Sequence, residues 1–328
     1  MNKSVELLFF PRIKVVLWWM VNQLKDITNQ KILLSALDWG MGHLTRSTAL
    51  MAILLHQGNE LIFAGNKKQC EFILGEFPNL KTQLIPGYEI RLDSKKSTFL
   101  QLTIQFPRIK KVMKTEQNWV ESFLKNEQVD LIISDNRYGF YSKKVKSIIL
   151  THQINLQIPR FKKRVNATLS KWLDQFNEIW VPDYYNRKLT GALSAPNKHQ
   201  CLRYIGPLCR FKKLEQPIKY DYLIILSGPE PERTSFLARM KEQFLNRDVE
   251  VAFVGAAVTN CDSYPNPSTQ KLNELIAQSR CIISRAGYTT IMEMVTLKKK
   301  SILYPTKGQF EQEYLANTIR NEWVEFQN

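Results

Sequence analysis

The chain contains no apolar run near the ~20 residues that a membrane-spanning helix needs. Its first thirty residues come closest. They hold Leu7-Leu8-Phe9-Phe10 and the stretch from Val15 to Val21 with Trp18 and Trp19, but Pro11, Arg12 and Lys14 interrupt them. No small-residue cleavage site follows, which argues against a secretory signal. Two expectations remain for residues 1–30: a basic, aromatic-rich segment lying in a membrane interface, or a leader outside the fold with translation starting at Met20.

Cysteine is scarce. The five thiols, Cys70, Cys201, Cys209, Cys261 and Cys281, include no pair at the C-x-x-C spacing of a zinc or redox site. An odd, scattered set reads as free thiols in a reducing cytoplasm. Acidic residues are also in deficit, 30 against 46 Lys and Arg, for a formal charge of +16. Between Asp135 and Asp174 there are none, while Lys143, Lys144, Lys146, Arg160, Lys162, Lys163, Arg164 and Lys171 all fall there. Such an excess favours acidic partners: nucleic acid, an anionic bilayer, or phosphorylated small molecules. It is equally what a solvated basic face looks like. No RNP, helix-turn-helix or zinc pattern supports nucleic acid. Low-complexity segments and short-period repeats are missing too.

The chain does have ample core. Of 328 residues, 44% are apolar and 23% charged, a soluble globular balance. At roughly 150 residues per domain this length predicts two domains. From Lys31 onward, short apolar runs at 32–37, 61–64, 130–134, 147–151 and 178–182 alternate with helix-like stretches such as 44–56, the signature of parallel βαβ units. The pattern restarts after a basic, proline-containing stretch. Strands are expected at 222–226, 250–254, 281–284 and 301–304, and helices at 231–245, 269–277, 289–297 and 311–321. The expected organisation is a leader (1–30), an N-terminal Rossmann-like domain (31–205), a linker (206–219) and a C-terminal domain (220–328).

In open α/β sheets ligands sit beyond the carboxyl ends of the strands, so the turns that follow strands are the candidates. The first is Asp38-Trp39-Gly40-Met41-Gly42-His43-Leu44-Thr45-Arg46. Gly40 and Gly42 allow close backbone approach, and His43, at the start of the helix, is a candidate general base. Read blandly, it is a capping turn with a surface histidine. The second is Ser284-Arg285-Ala286-Gly287-Tyr288-Thr289-Thr290, running on to Glu293. Here Gly287 permits a tight turn, Thr289 and Thr290 can hold a diphosphate at the helix N-terminus, and Arg285 adds a cation. Glu293 can accept both hydroxyls of a ribose, or simply serve helix electrostatics. The third, Pro305 to Tyr314, clusters amides and carboxylates (Gln309, Glu311, Gln312, Glu313) suited to sugar hydroxyls, or forms an ordinary polar turn. A fourth, Ser227-Gly228-Pro229-Glu230, can bring the sheet to the same phosphates, although Pro229 and Pro231 remove donors and Glu230 and Glu232 repel anions. Asp135, at a strand end, can orient His43 or an acceptor, or cap a turn. His152 is a further cleft candidate.

Taken together, SRAGYTTIMEM and YP-x-x-GQFEQEYLAN, with ALDWGMGHLTRS more loosely, resemble MurG-like glycosyltransferases with a glycosyltransferase family 28 C-terminal domain. The resemblance extends over everything after Lys31. It implies a GT-B fold, two Rossmann-like open parallel-sheet domains facing across a cleft. It also implies inverting, metal-independent hexosyl transfer from a UDP-sugar, with no cofactor and with the acceptor on the N-terminal side. By motif position, Arg285, Gly287, Thr289 and Thr290 meet nucleotide and phosphate, Glu293 the ribose, Gln309 and Gln312 the sugar, and Ser227 the donor loop. His43 would be the base, beside the glycine-rich loop Gly40 and Gly42. Acceptors of three kinds fit: a lipid, a polysaccharide precursor or a small metabolite. The expected location is cytoplasmic, including peripherally on the inner face of the plasma membrane. Family members continue through further bracing helices, so a shortened C-terminal domain is expected. Two alternatives stand beside this reading. Gly40-x-Gly42-His43-x-x-Arg46 also resembles the loop of UDP-sugar hydrolases that use water as acceptor. An inactive GT-B protein that only binds nucleotide or membrane is the other.

Overall fold

The computed structural model describes residues 23–87, 106–196 and 201–327; the apolar and tryptophan-rich part of the leader lies outside them. The first half builds seven parallel strands: β1 (Lys31–Ala36), β2 (Glu60–Gly65), β3 (Lys81–Leu84), β4 (Leu131–Asp135), β5 (Lys146–Leu150), β6 (Glu178–Val181) and β7 (Leu202–Tyr204), in the order 3-2-1-4-5-6-7. Helices α1 (Met41–His56), α2 (Lys67–Glu76), α3 (Phe106–Phe123) and α4 (Lys162–Leu173) connect them. The second half repeats the plan with β8 (Tyr220–Ile225), β9 (Val251–Val254), β10 (Asp262–Tyr264), β11 (Ser279–Arg285), β12 (Ser301–Tyr304) and β13 (Val324–Phe326). These pair in parallel in the order 10-9-8-11-12-13. Its helices are α5 (Glu232–Phe244), α6 (Thr269–Ala277), α7 (Tyr288–Leu297) and α8 (Phe310–Thr318).

The central strands are apolar throughout because helices cover both faces of the sheet. Alternation sends Ile32, Leu34, Leu131 and Ile133 to one face and Leu33, Ile62 and Ile132 to the other. Each is fully or almost fully buried, so truncating one, as in Leu33→Ala, would cost about 2–5 kcal/mol. The first of these cores does not stop at the domain boundary. It runs through Leu50 and Met51 of α1 to Ile291 and Met292 of α7.

Three differences from the sequence expectation matter. The fold reaches back before Lys31, since Leu24 and Ile27 are buried in the main core and Asp26 pairs with Arg203 at 2.7 Å. Strands β3, β7, β10 and β13 and helices α2, α3 and α4 emerge where no apolar run announced them. The strands have three or four residues and sit at or next to sheet edges. Finally, the last helix stops at Thr318 rather than Asn321: Ile319 turns extended and buries its side chain, leading the chain into β13.

Candidate functional site

In both sheets the strand order reverses at the middle, between β1 and β4 and again between β8 and β11. Crevices open beyond the strand ends at such switch points. His43 follows β1 and Asp135 ends β4; Ser227 follows β8 and Arg285 ends β11. The topology therefore gathers the separate turns of the sequence on two facing edges.

The N-terminal side is a buried charge network. Gly40 caps α1 at φ 78 with no side-chain hydrogen bond, a left-handed conformation that favours glycine. The next residues swing His43 over the sheet end, where its Nδ1 lies 2.8 Å from Asp135 Oδ1. One turn further on, Arg46 grips the same carboxylate. Its Nε donates to Oδ2 at 2.7 Å, Nη2 donates to Oδ1, and Ser47 Oγ donates to Oδ2 at 3.0 Å. Burial alone would raise the Asp135 carboxyl, but the Arg46 charge and the adjacent His43 bring it down to about 2. An ionised carboxylate only accepts hydrogen bonds. His43 Nδ1 also lies 3.0 Å from Arg46 Nη2, which can only donate, so its two neighbours call for opposite tautomers. With the proton on Nδ1 toward Asp135, the shorter contact, the Nε2 lone pair is available, and 17% of that side chain is exposed. This is the geometry of an oriented general base.

The C-terminal side is built from hydroxyls, amides and one cation. Arg285 is 4% exposed and ties three turns together: its Nε donates to Thr306 Oγ1 at 2.9 Å, its Nη2 donates to the same oxygen, and its Nη1 donates to the Ser227 carbonyl at 3.3 Å. Burial lowers its affinity for the proton. Ser227 Oγ sits 3.3 Å from Ser284 Oγ. Gly287 is the N-cap of α7 and no side chain caps that helix, so its first N–H groups lack intrahelical partners. Gln309 likewise begins α8 without a side-chain cap. Gln312 Nε2 donates to Gln309 Oε1 at 2.5 Å, while its own Oε1 accepts from Thr306 N at 2.8 Å, fixing both amides beside Arg285.

Two expected features look different in space. Glu293 is buried and accepts from Arg210 Nε at 3.1 Å, a cation supplied by the linker. Burial raises its carboxyl, and Arg210 partly opposes that. Glu230 turns back on α5, accepting from Thr234 N at 3.1 Å and Thr234 Oγ1 at 2.7 Å, so its charge is engaged with its own helix.

The two sides touch. Thr289 Oγ1 donates to the Gly42 carbonyl at 3.1 Å, and a Cβ on Gly42 would meet that oxygen at 3.3 Å. The glycine thus lets the loop approach α7. Tyr288 donates to Pro182 O at 2.7 Å and Tyr314 accepts from Ala192 N at 2.8 Å. Beside these contacts an open groove of about 420 Å³ runs between Ile158, Pro159 and Lys162 on one side and Phe310 and Tyr314 on the other. Two residues of this interface escaped the site expected from sequence. The sequence offers Arg46 only as a loop residue and Glu311 only as one of a polar cluster; their carboxylate and imidazole partners Asp135 and His152 lie 89 and 159 positions away.

Among the described residues no group of three or more His, Cys, Asp or Glu is arranged to hold a metal ion, and no helix is long and apolar enough to cross a membrane.

Comparison with known proteins agrees with this architecture. Residues 239–325 match the model of the glycosyltransferase family 28 C-terminal domain. A protein of Methanosarcina mazei described as an uncharacterized glycosyltransferase is 24% identical, over 89% of this chain and 84% of its own. Among solved structures, Arabidopsis thaliana UGT89C1 complexed with UDP-L-rhamnose superposes with a TM-score of 0.62 at 14% identity, covering 92% of this chain and 86% of that one. MurG of Acinetobacter baumannii does so with a TM-score of 0.50 at 14% identity, covering 91% and 85%. The chain has the GT-B fold, and its residues 239–325 are similar to the glycosyltransferase family 28 C-terminal domain.

Proposed function

We propose that this chain is an inverting glycosyltransferase that moves a hexosyl group from a UDP-sugar to an acceptor hydroxyl without a metal ion. The observation that carries the reading is the hydrogen bond of His43 Nδ1 to a buried, arginine-held Asp135, facing an uncapped helix start across the cleft. In this reading the donor diphosphate lies at the start of α7 against Thr289 and Thr290, with Arg285 supplying positive charge. Gln309 and Gln312 meet the sugar, and Ser227 lies at the edge of the phosphate site. Glu293 meets the ribose once it shares its carboxylate with Arg210. Donor entry opens the Thr289–Gly42 hydrogen bond.

His43 Nε2 takes the acceptor proton as the hydroxyl oxygen bonds to the anomeric carbon from the face opposite the phosphate. The glycosidic C–O bond to the diphosphate breaks, and UDP departs as an anion toward backbone donors and Arg285, which stabilise that charge. An oriented base contributes typically ~10²–10⁴ in rate. Three findings support the assignment: the family 28 match over residues 239–325, the glycosyltransferase description of the Methanosarcina relative, and the nucleotide-sugar complex of a protein with the same fold.

The exposed run 160–164, in which Phe161 is 62% exposed among Arg160, Lys162, Lys163 and Arg164, suits peripheral contact with an anionic bilayer. The adjoining groove between Pro159 and Phe310 suits the acceptor.

The test is a thermal-shift screen against nucleotide sugars, followed by UDP release with and without candidate acceptors. Bound donor raises the melting temperature. Acceptor-dependent release supports transfer. Equal release without any acceptor makes the protein a hydrolase of the same fold, and binding without release makes it a nucleotide-binding protein. A panel with no stabilising nucleotide sugar contradicts all three.

A further inference from the structure

Beyond the base and its carboxylate, the network continues across the domain boundary, in a direction the chemistry above does not use. Arg46 has three nitrogens in play. Two hold Asp135, while Nη1 lies 3.0 Å from His152 Nδ1. A guanidinium can only donate, so His152 Nδ1 accepts and its proton sits on Nε2. That nitrogen lies 2.7 Å from Glu311 Oε1 in the first turn of α8. The tautomer of His152 is thus fixed by its two partners. Its ring stacks on Tyr288 at the start of α7, with centroids 4.1 Å apart and planes at 6°. Gln153 donates to the second oxygen of Glu311. Both oxygens of a carboxylate beside Gln309 and Gln312 are therefore taken by two consecutive residues that follow β5 of the other domain. Burial pushes the His152 imidazole below its ordinary range, with Glu311 opposing and Arg46 and His43 adding to the push. The neutral ring is the form this arrangement requires.

We infer that His152 is a positioning residue: clasped to Glu311 of α8 and to Arg46 of α1, it sets the distance and angle between the His43–Asp135 pair and the loop that presents the donor sugar. A direct relay, His43–Asp135–Arg46–His152–Glu311, joins the two halves of the site. Domain closure and base orientation then become one event. The donor phosphate contacts at Arg285, Thr289 and Thr290 lie outside the relay, so donor affinity and turnover should separate when it is cut. This inference rests on the transferase reading with His43 as base.

The experiment uses the full chain and compares His152→Ala, His152→Gln, Glu311→Ala and the Ala–Ala double variant. It follows kcat, donor KM, UDP affinity by calorimetry, and the radius of gyration with UDP bound. A small misplacement of reacting groups costs up to about 100-fold. His152→Ala is expected to lower kcat by about 10- to 100-fold with UDP affinity within about 2-fold. Glutamine, whose amide N–H can still reach Glu311, should restore most of the loss. Because the two residues act through one contact, the double variant should fall no further than either single one, and the alanine variants should have a larger radius of gyration with UDP bound. Unchanged kcat, or additive losses without rescue by glutamine, overturns the inference even if His43→Ala is inactive. Turnover that survives in His43→Ala overturns the transferase reading instead. In a chain without turnover, a radius of gyration that His152→Ala leaves unchanged contradicts the clasp.

Discussion

The two walls of the cleft are built on opposite principles. On the N-terminal wall, charge is buried and saturated: Asp135 accepts from His43, Arg46 and Ser47 and is 1% exposed. On the C-terminal wall Thr289, Thr290, Gln309 and Gln312 are neutral and surround a single arginine and two helix starts without side-chain caps, while the one carboxylate among them, Glu311, is held from the other wall by His152 and Gln153. Uncapped starts also occur at α1, α4 and α5, but two helices away from the cleft are capped. α2 opens on a complete capping box of Asn66 and Gln69, and α6 on Ser268. The contrast suggests a division of labour. A base needs one fixed orientation, which a locked ion network gives. In the proposed reaction a nucleotide sugar would bring its own charge and hydroxyls, which unsatisfied donors at a helix start suit.

The comparison can be broken most severely at Asp135. Asp135→Asn leaves Arg46 buried without its adjacent countercharge, a change that costs about 3–5 kcal/mol, and it turns one of the two oxygens that accept from His43, Arg46 and Ser47 into a donating NH2 group. Urea denaturation should show that loss, with turnover lower by about 100-fold or more. Equal stability would mean that the pair is not buried as described.

The next effect is pH-dependent. The folded-state pKa of Asp135 is depressed from 3.8 to about 2. Its stabilising contribution is therefore complete above the ordinary carboxylate range and is lost as pH falls through about 2. Melting temperature should decline between roughly pH 4 and pH 2 in the native chain and less steeply in Asp135→Asn. Parallel slopes in the two proteins would contradict the assignment.

On the other wall, Arg285→Ala should weaken UDP affinity by about 10- to 100-fold, the worth of one or two charged hydrogen bonds. Thr290→Val should do so by about 10-fold or less. Calorimetry with UDP checks both. Loss of folding cooperativity rather than of affinity would make these residues part of the scaffold. The smallest effect concerns the basic rim: Lys163→Glu with Arg164→Glu should reduce co-sedimentation with vesicles containing anionic lipid, by a margin that shrinks with added salt, and unaltered sedimentation would remove the membrane contact.

The fold was legible because buried parallel strands are written as uninterrupted apolar runs. LIIS in β4 and SIIL in β5 announce themselves, and the glycine turns after β1 and β11 mark the site edge. What stayed hidden was polar or distant. KTQL of β3 lies at a sheet edge and buries no residue fully, and α3 carries Arg108, Lys110, Lys111 and Lys114 on exposed positions. Within the site, His43 and Asp135 could be named because each ends or follows a strand. Their partner Arg46 looks like any cation on an amphipathic helix until Asp135, 89 positions away, is brought to it. Glu311 similarly needs His152, 159 positions away. The first pairing depends on β4 lying beside β1 in one sheet and the second on the arrangement of the two sheets, neither of which a local pattern encodes.

The central claim, a base on one wall serving a donor held on the other, is tested most directly by His43→Ala, measuring UDP release and UDP-sugar affinity on the same preparation. The account predicts release reduced by about 100-fold or more while affinity stays within about 2-fold of the native chain. Release near the native rate, or an affinity that collapses together with turnover, would contradict it.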